Sequence, residues 1–263
     1  MTDLLLAILL GAVQGVTEFL PVSSSGHLVL VPWLLNVPDP GLAFDVALHT
    51  GTLAAVLFVF WREWKDILRA AATRRPAGGF APDMLWKIAL ASVPAAVAGV
   101  LLEEAASGAL RAPLLVAGTL AGVALLMAVA DRKTGQGTAT KIGWGKALLV
   151  GCAQAAALVP GVSRSGATMI AGIALGLSRA EAARFSFLLS VPITLGATVF
   201  ALRHLTVADL TLPFAVGIIV SALTGIWAIR FLLQFLKRHD FRPFIVYRLG
   251  LAAAVVLLVL SRG

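Results

Sequence analysis

The chain has 263 residues, of which 59% are hydrophobic and only 13% are charged, and its mean hydropathy is +0.95. Soluble domains are about 45–50% apolar and about 25% charged, so this composition excludes an ordinary soluble protein and indicates a chain embedded in lipid. The net charge of +8 does not indicate nucleic-acid binding, because the cations lie in loops between apolar segments, and the single cysteine, Cys152, excludes an internal disulfide and is predicted to be buried.

The first apolar stretch is interrupted before it can cross the bilayer. Residues 4–20 contain Gln14 and Glu18, stop at Pro21 and a run of serines, and are followed by a short apolar piece at 28–35. Neither piece reaches the about 20 apolar residues that a crossing needs. A helix, a polar break and a second helix are typical of a re-entrant hairpin, whose irregular backbone is tolerated at membrane depth only inside the protein or beside a wet cavity.

Three full spans are predicted next, at residues 44–61, 84–102 and 113–130. A second interrupted stretch follows, with apolar pieces at 146–159 and 166–177 separated at Pro160-Gly161. Three more spans complete the chain, at residues 183–201, 213–236 and 245–260. None of these segments shows the period-2 alternation of barrel strands. The predicted fold class is therefore all-α, a single polytopic membrane domain over residues 1–263 with six transmembrane helices and two re-entrant hairpins.

The two breaks are related in sequence. Residues 11–26 read GAVQGVTEFLPVSSSG, and residues 151–166 read GCAQAAALVPGVSRSG. At a constant offset of 140, six of the sixteen positions are identical, namely Gly11, Gln14, Val22, Ser23, Ser25 and Gly26 in the first copy. Several of these are polar residues in apolar surroundings. The pattern predicts an internal duplication, with repeats of approximately 1–130 and 141–263.

The number of spans between the breaks predicts the orientation of the repeats. A re-entrant hairpin returns to its own side, and three spans, an odd number, separate the two hairpins. The second hairpin therefore enters from the opposite face, and the halves form an inverted repeat whose polar breaks meet near the midplane. The loops opposite the N-terminus (62–83, 131–146, 178–184 and 237–244) carry fourteen lysines and arginines, against three on the other side. This bias predicts that both termini are periplasmic.

Ionisable side chains at bilayer depth are costly and are therefore candidates for function. Glu18 lies four residues after Gln14, so both share one helical face, His27 follows the first break, and Arg164 lies inside the second. Six hydroxyls surround them and are predicted to contact an anion, namely Ser23, Ser24, Ser25, Ser163, Ser165 and Thr168. Each break also opens a helix N-terminus. This set of groups suits phosphoryl transfer on a lipid-soluble substrate, which depends mostly on positioning and charge stabilisation.

The residues by themselves leave several roles open. Arg164 either holds a phosphate, for which its planar fork of donors is suited, or pairs with Glu18 to hold the hairpins together. Glu18 is that partner, a general base, or a ligand of magnesium or calcium. His49 and Asp45 are predicted to be capping or interfacial groups, with a role in the site as the alternative. Arg248, like Arg230, lies near the end of a span and is predicted to extend to the membrane interface.

At the same residues, the sequence resembles the undecaprenyl-diphosphate phosphatase family of the bacitracin-resistance type. Residues 14–27, QGVTEFLPVSSSGH, are similar to the family's (Glu/Gln)-x-x-x-Glu motif and its Pro-Val-Ser-Ser-x-Gly-His box. Residues 160–168, PGVSRSGAT, are similar to its Pro-Gly-x-Ser-Arg-Ser-Gly-Ala-Thr signature. FDVALHTGTLAAV at 44–56 and FSFLLSVP at 185–192 also resemble the family. The similarity covers essentially the whole chain.

The resemblance implies hydrolysis of undecaprenyl diphosphate to the monophosphate in the bacterial inner membrane, on its periplasmic side, with a divalent cation. By position, Ser24 would be the nucleophile, His27 the base or acid beside it, and Glu18 a metal ligand or activating group. Arg164 and the hydroxyls would hold phosphate oxygens. Some members carry Glu at the position of Gln14, and Gln14 is a weaker metal ligand that cannot act as a base. A two-carboxylate mechanism is therefore in doubt for this chain, and Glu18 must act alone.

The rival hypothesis is a transporter or flippase of the carrier lipid or of a small anion, since inverted repeats with broken helices are also a transporter architecture. Fold alone does not decide between the two. The Ser24 and His27 pair favours catalysis, because a transporter needs phosphate donors but no nucleophile. A membrane scaffold would leave the polar groups at the midplane without a purpose. The residues leave open whether two copies form a homodimer, and whether a serine-phosphate intermediate forms.

Overall fold

The computed structural model describes residues 3–102, 109–132, 134–201 and 211–262. Within these ranges the chain forms eleven α-helices and no strand beyond isolated bridges. In chain order they are α1 (Asp3–Phe19), α2 (Ser24–Leu35), α3 (Leu42–Val59), α4 (Trp61–Thr73), α5 (Met84–Leu101), α6 (Pro113–Ala130), α7 (Trp144–Ala156), α8 (Arg164–Ala174), α9 (Arg179–Ala201), α10 (Leu212–Phe235) and α11 (Arg242–Arg262). The prediction of an all-α chain is confirmed.

Five of these helices, α5, α6, α9, α10 and α11, are long and apolar enough to cross a bilayer. A sixth candidate is the pair α3 and α4, which bends by 74° at a short break after Val59. The five long helices coincide with the last five predicted spans. The first predicted span, residues 44–61, corresponds to α3, which ends at Val59, and to the first residue of α4. The two interrupted stretches form the shorter helix pairs α1–α2 and α7–α8. The six-plus-two membrane topology stays a prediction, because it depends on where the bilayer lies.

The outer surface of the helix bundle is apolar, as expected of a protein surrounded by lipid. Leu101, Leu212 and Leu260 are 76%, 69% and 73% exposed, and many other large hydrophobic side chains on the spans are similarly exposed. Soluble monomers rarely expose apolar surface on this scale. The prediction for Cys152 is wrong, because its side chain is exposed on α7. An apolar sequence context predicts only that a side chain avoids water. In a membrane protein, a side chain avoids water equally well in contact with lipid as in the protein interior.

The first helix of each interrupted stretch packs closely against the other half of the chain. α1 packs against α10, and α7 packs against α5. A Cβ atom at Gly11 would collide with the Gly217 carbonyl on α10, and one at Gly151 with the Ala91 carbonyl on α5. Both positions therefore need glycine so that the helix backbones can approach, as in other membrane helix pairs. Gly11 and Gly151 are also identical positions in the two sequence copies.

Candidate active site

The two breaks have the same local geometry. Ser23 and Ser163 precede α2 and α8 with positive φ angles of 79° and 74°, a conformation uncommon for residues other than glycine. Each serine caps its helix, because its hydroxyl accepts a hydrogen bond from the backbone N–H of Gly26 (3.2 Å) or Gly166 (3.0 Å). Strained backbone of this kind often occurs at functional sites.

The breaks lie against each other inside the protein. The Ser23 hydroxyl also accepts a hydrogen bond from the N–H of Gly161 in the second break, at 3.1 Å. In return, the Ser165 hydroxyl donates to the carbonyl of Leu20, also at 3.1 Å. The prediction that residues 21–26 and 160–166 come together is therefore confirmed. Contacts in both directions fix the position of one break relative to the other.

Arg248 on α11 binds backbone carbonyls of both breaks, and its predicted place at the membrane interface is wrong. Its side chain is fully buried, and it donates to the carbonyls of Pro21 (3.2 Å), Gly161 (2.7 Å) and Leu120 (3.1 Å). No carboxylate pairs with it in the described part of the chain. The prediction relied on the residue's place near the start of a span, whereas packing of α11 on α6 turns this side chain inward. Arg230 is exposed, and its place at the membrane interface stays a prediction.

Glu18 is the centre of the site. One carboxylate oxygen, Oε1, pairs with Nη2 of Arg164 at 2.6 Å. The other, Oε2, accepts hydrogen bonds from the Ser24 hydroxyl at 2.5 Å and from the Gln14 amide at 3.1 Å. Nε2 of His49 lies 3.4 Å from the same oxygen. The carboxyl group is almost fully buried, so its charge is balanced by these neighbours and not by water.

His49 contacts Glu18, so the interpretation of His49 as a capping or interfacial group is wrong. It lies on α3, one turn after Asp45, and its Nδ1 is 2.6 Å from the Asp45 carbonyl oxygen. That contact turns Nε2 towards Glu18. Asp45 itself is buried and pairs with Arg111 at 2.9 Å. The rule that singled out Glu18, an ionisable side chain inside an apolar helix, applies equally to His49 and could have found it.

His27 lies beside Ser23, and its ring nitrogens face Ser23 and Tyr247. Nδ1 is 2.6 Å from the Ser23 carbonyl oxygen, and Nε2 is 2.6 Å from the Tyr247 hydroxyl. The two rings are nearly parallel, with centroids 5.6 Å apart. Because a carbonyl only accepts, Nδ1 carries the proton, and in the neutral ring Nε2 accepts from Tyr247. The role of His27 as an acid or base stays a prediction, and Tyr247 is a neighbour that the sequence did not single out.

The hydroxyls and backbone N–H groups of the site suit an anion. Thr168 lies 2.6 Å from the Ser186 hydroxyl, Ser25 is 3.4 Å from the Ser23 hydroxyl, and Ser163 is 3.2 Å from Ser165. At the N-termini of α2 and α8, the N–H groups of Ser24, Ser25, Arg164 and Ser165 make no hydrogen bond to any described residue. Free N–H groups at a helix start form a natural binding site for phosphate. Two such helix starts meet beside Glu18.

The protein groups of the site suit a divalent cation only if the bound substrate supplies further metal ligands. Among the described residues, no group of three or more His, Cys, Asp or Glu side chains is placed to hold a metal ion. Glu18 is the one carboxylate, and beside it the amide oxygen of Gln14 is buried and has no hydrogen-bond partner in the described structure. Magnesium commonly binds through one or two carboxylates, retained water and substrate phosphates. The residues therefore fit a cation held jointly with a phosphate group.

Comparison with known proteins gives one consistent result. The family model described as bacitracin resistance protein BacA matches residues 7–254. Among curated relatives, the undecaprenyl-diphosphatase of Pelotomaculum thermopropionicum is 48% identical, with 97% of each chain covered. The undecaprenyl-diphosphatases of Desulforudis audaxviator and Moorella thermoacetica are 46% and 47% identical, with 97% and 95% of this chain covered and 98% and 95% of theirs. The family match includes both breaks and at least part of each of the eleven helices.

Proposed function

Because this chain belongs to the bacitracin resistance protein BacA family, we propose that the Glu18 centre is where it acts as an undecaprenyl-diphosphatase. The reaction hydrolyses undecaprenyl diphosphate to undecaprenyl phosphate and inorganic phosphate, which recycles the carrier lipid for peptidoglycan synthesis and confers bacitracin resistance. One observation carries the assignment of the site. The Ser24 hydroxyl donates to one oxygen of Glu18, while Arg164 binds the other. A nucleophile bonded to its base, beside a phosphate-binding cation, is the arrangement that phosphoryl transfer to serine requires.

In the proposed reaction, Glu18 takes the proton of the Ser24 hydroxyl as the oxygen attacks the terminal phosphorus. The new bond joins Ser24 Oγ to phosphorus, and the bond from phosphorus to the bridging oxygen breaks, so that undecaprenyl phosphate leaves. Water then attacks the phosphoserine and the bond from phosphorus to Ser24 Oγ breaks, which releases inorganic phosphate. Glu18 returns its proton to Oγ, so that both the Ser24 hydroxyl and the Glu18 carboxylate are restored. Direct attack by water that Glu18 activates is the alternative route.

Arg164 is proposed to move from Glu18 to the phosphate when the substrate binds. A guanidinium group can bind a phosphate through two parallel hydrogen bonds. The free N–H groups at the starts of α2 and α8, with the hydroxyls of Ser23, Ser25, Ser163, Ser165 and Thr168, supply further donors. These groups are fixed before the reaction, because caps and cross-break contacts hold both helix starts. Fixed donors stabilise developing charge without reorganisation.

A divalent cation, magnesium or calcium, is proposed as the cofactor. Glu18 and the unpartnered amide oxygen of Gln14 would hold it together with substrate phosphate oxygens. When bound, it would neutralise the charge of the diphosphate. Hydrogen bonds to Ser24 and Arg164 leave Glu18 with few free lone pairs, so the cation is expected to bind with the substrate and not before it.

The test of the function is a phosphate-release assay on long-chain polyprenyl diphosphate with purified protein, run with and without a chelator. We expect release of one phosphate per diphosphate, none from polyprenyl monophosphate, and loss of activity in the chelator that added magnesium or calcium restores. Movement of the lipid across vesicles without phosphate release would support the transporter or flippase hypothesis instead. Full activity in the chelator would remove the cation from the proposal.

Replacing Ser24 with Ala is expected to reduce turnover by about 10²-fold or more, since it removes the hydroxyl that donates to Glu18. Thermal stability should change little. Ser25→Ala serves as the matched comparison and should lose less activity than Ser24→Ala, because it removes one phosphate donor but not the nucleophile. Ser23→Ala should instead reduce the free energy of unfolding by about 1–3 kcal/mol. The Ser23 hydroxyl accepts hydrogen bonds from the buried N–H groups of Gly26 and Gly161, and the variant leaves both without a partner. Similar activity losses at Ser24 and Ser25, with stability unchanged, would favour direct attack by water.

Both termini and the active site are proposed to face the periplasm. The bias of lysines and arginines towards the loops opposite the N-terminus supports this orientation. In a Cys152→Ala background, an impermeant thiol reagent should label Ser261→Cys in intact cells. Gln136 is exposed in a loop that is proposed to lie on the cytoplasmic side. A Gln136→Cys variant should therefore react only after the cells are permeabilised. The reverse pattern of labelling would contradict the proposed orientation.

A further inference from the structure

The short helix α4 has the surface of a helix that lies along a membrane. It follows the apolar helix α3 at an angle of 74°, so it turns away from the direction of that span. Ile67 and Ala70 are fully buried on one face. The other face exposes both large apolar side chains and cations, namely Trp61, Leu68, Arg62, Lys65 and Arg69. Tryptophan is enriched at the bilayer interface, and lysine and arginine side chains reach the headgroups from there, so this face suits the headgroup region.

A cavity of about 570 Å³ lies between the second half of α4 and the loop that follows it. Its walls are formed by Asp66, Arg69 and Thr73 on the helix and by Arg75 to Gly78 in the loop. The loop is firmly held, because the backbones of Ala77 and Phe80 exchange hydrogen bonds of 3.2 and 2.9 Å. Phe80 itself is buried beneath the guanidinium group of Arg184. The cavity is therefore part of the fold and does not depend on a loose segment.

Three charged groups border this cavity without neutralising one another. Asp66, Arg69 and Arg75 make no ion pair within 4 Å to any described residue, in contrast to Glu63, which lies 3.6 Å from Arg184. Asp66 and Arg69 lie three positions apart on α4, so their Cβ atoms are about 5–6 Å apart on one face. One carboxylate and two guanidinium groups thus face the same space. Guanidinium groups suit a phosphate, and a carboxylate suits an ammonium group that can donate hydrogen bonds.

We propose that this cavity binds the headgroup of an aminophospholipid, a lipid that carries a phosphate and a primary ammonium group. Arg69 and Arg75 bind the phosphate, and Asp66 accepts hydrogen bonds from the ammonium group. Trp61 and Leu68, exposed on the same helix, contact the apolar part of the lipid. A phosphatidylglycerol headgroup would leave Asp66 without a cation, and the trimethylammonium group of phosphatidylcholine has no N–H to donate. This site is separate from the Glu18 centre and goes beyond the phosphatase activity.

The test is a lipid titration of the intact detergent-solubilised protein by native mass spectrometry. Phosphatidylethanolamine, phosphatidylglycerol and phosphatidylcholine with identical acyl chains are compared. The wild-type protein should bind phosphatidylethanolamine about fivefold more tightly than either other lipid. Since one cation near a lipid surface contributes about 1 kcal/mol, or roughly fivefold, the Arg69→Gln and Arg75→Gln variants should each weaken its binding by about that factor.

Two further variants separate the proposal from general attraction of lipids to a basic surface. Asp66→Asn should abolish the preference for phosphatidylethanolamine over phosphatidylglycerol, whereas Arg62→Gln, on α4 but outside the cavity, should change nothing. All four variants should hydrolyse undecaprenyl diphosphate at the wild-type rate in detergent, which shows that they are folded. Tighter binding of phosphatidylglycerol than of phosphatidylethanolamine by the wild type, or equal losses from Arg62→Gln and Arg69→Gln, would overturn the proposal.

Discussion

Replacing Glu18 with Gln is expected to reduce phosphate release from undecaprenyl diphosphate by about 10³-fold, the middle of the range for loss of a general base. The side chain keeps its size, but its amide cannot take the proton of the Ser24 hydroxyl, which lies 2.5 Å from the carboxylate. The change also removes the one carboxylate available for a cation. Substrate binding should suffer less than turnover, because Arg164 is then free to bind phosphate. The measurement is kcat and KM for purified protein with saturating magnesium.

The matched control for this variant is Gln14→Glu, which adds a carboxylate one helical turn from Glu18 on the same face of α1. The amide of Gln14 lies 3.1 Å from Glu18, and the motif that this sequence resembles allows either Glu or Gln at this position. We therefore expect Gln14→Glu to keep most of the wild-type turnover. It should not rescue Glu18→Gln in the double variant. The Ser24 hydroxyl donates its hydrogen bond to residue 18, so a carboxylate at position 14 is not placed to take its proton. Wild-type turnover by Glu18→Gln would remove the acid from the mechanism.

Replacing Arg164 with Lys is expected to reduce turnover by roughly 10²-fold or more, or ~3 kcal/mol of transition-state stabilisation. A diphosphate brings several negative charges to a site in which Glu18 is already ionised. Arg164 is the cation placed to move onto the phosphate, whereas Arg248 is committed to backbone carbonyls. An ammonium group keeps the charge but cannot reproduce the two parallel hydrogen bonds of a guanidinium. Steady-state kinetics and thermal unfolding of the purified variant provide the measurement.

The Arg164→Ala variant separates catalysis from architecture. The ion pair of 2.6 Å between Arg164 and Glu18 agrees both with a catalytic arginine at rest and with a purely structural tie. If the pair is only structural, Arg164→Lys should keep most activity, while Arg164→Ala should lower the unfolding temperature because it leaves a buried carboxylate with less compensation. If Arg164 acts on the phosphate, both variants should insert normally and lose turnover. An active and stable Arg164→Ala protein would reject both accounts.

The sequence by itself determined the fold class, the positions of the long apolar helices and the two breaks. Their signals are local, because apolar runs of a given length form helices in lipid, and polar residues such as Glu18 and Arg164 are conspicuous inside such runs. The offset between the two copies also predicted that the breaks meet, since related segments in opposed halves approach one another at the centre of the protein. Ser23 and Gly161 make that contact.

Only the tertiary structure decided which distant side chains complete the site. Tyr247 and Arg248 stand on α11, far in sequence from both breaks, and their patterns fit interfacial residues equally well. His49 on α3 meets the same rule as Glu18, but only the structure shows that it reaches Glu18. Residues near the end of a span face lipid, headgroups or the protein interior according to how their helix is rotated against its neighbours. Packing of α11 on α6 sets that rotation for Arg248 and turns it onto the carbonyls of Pro21 and Gly161. Hydropathy measures only how apolar a segment is, and it contains no information about which face of a helix its neighbours cover.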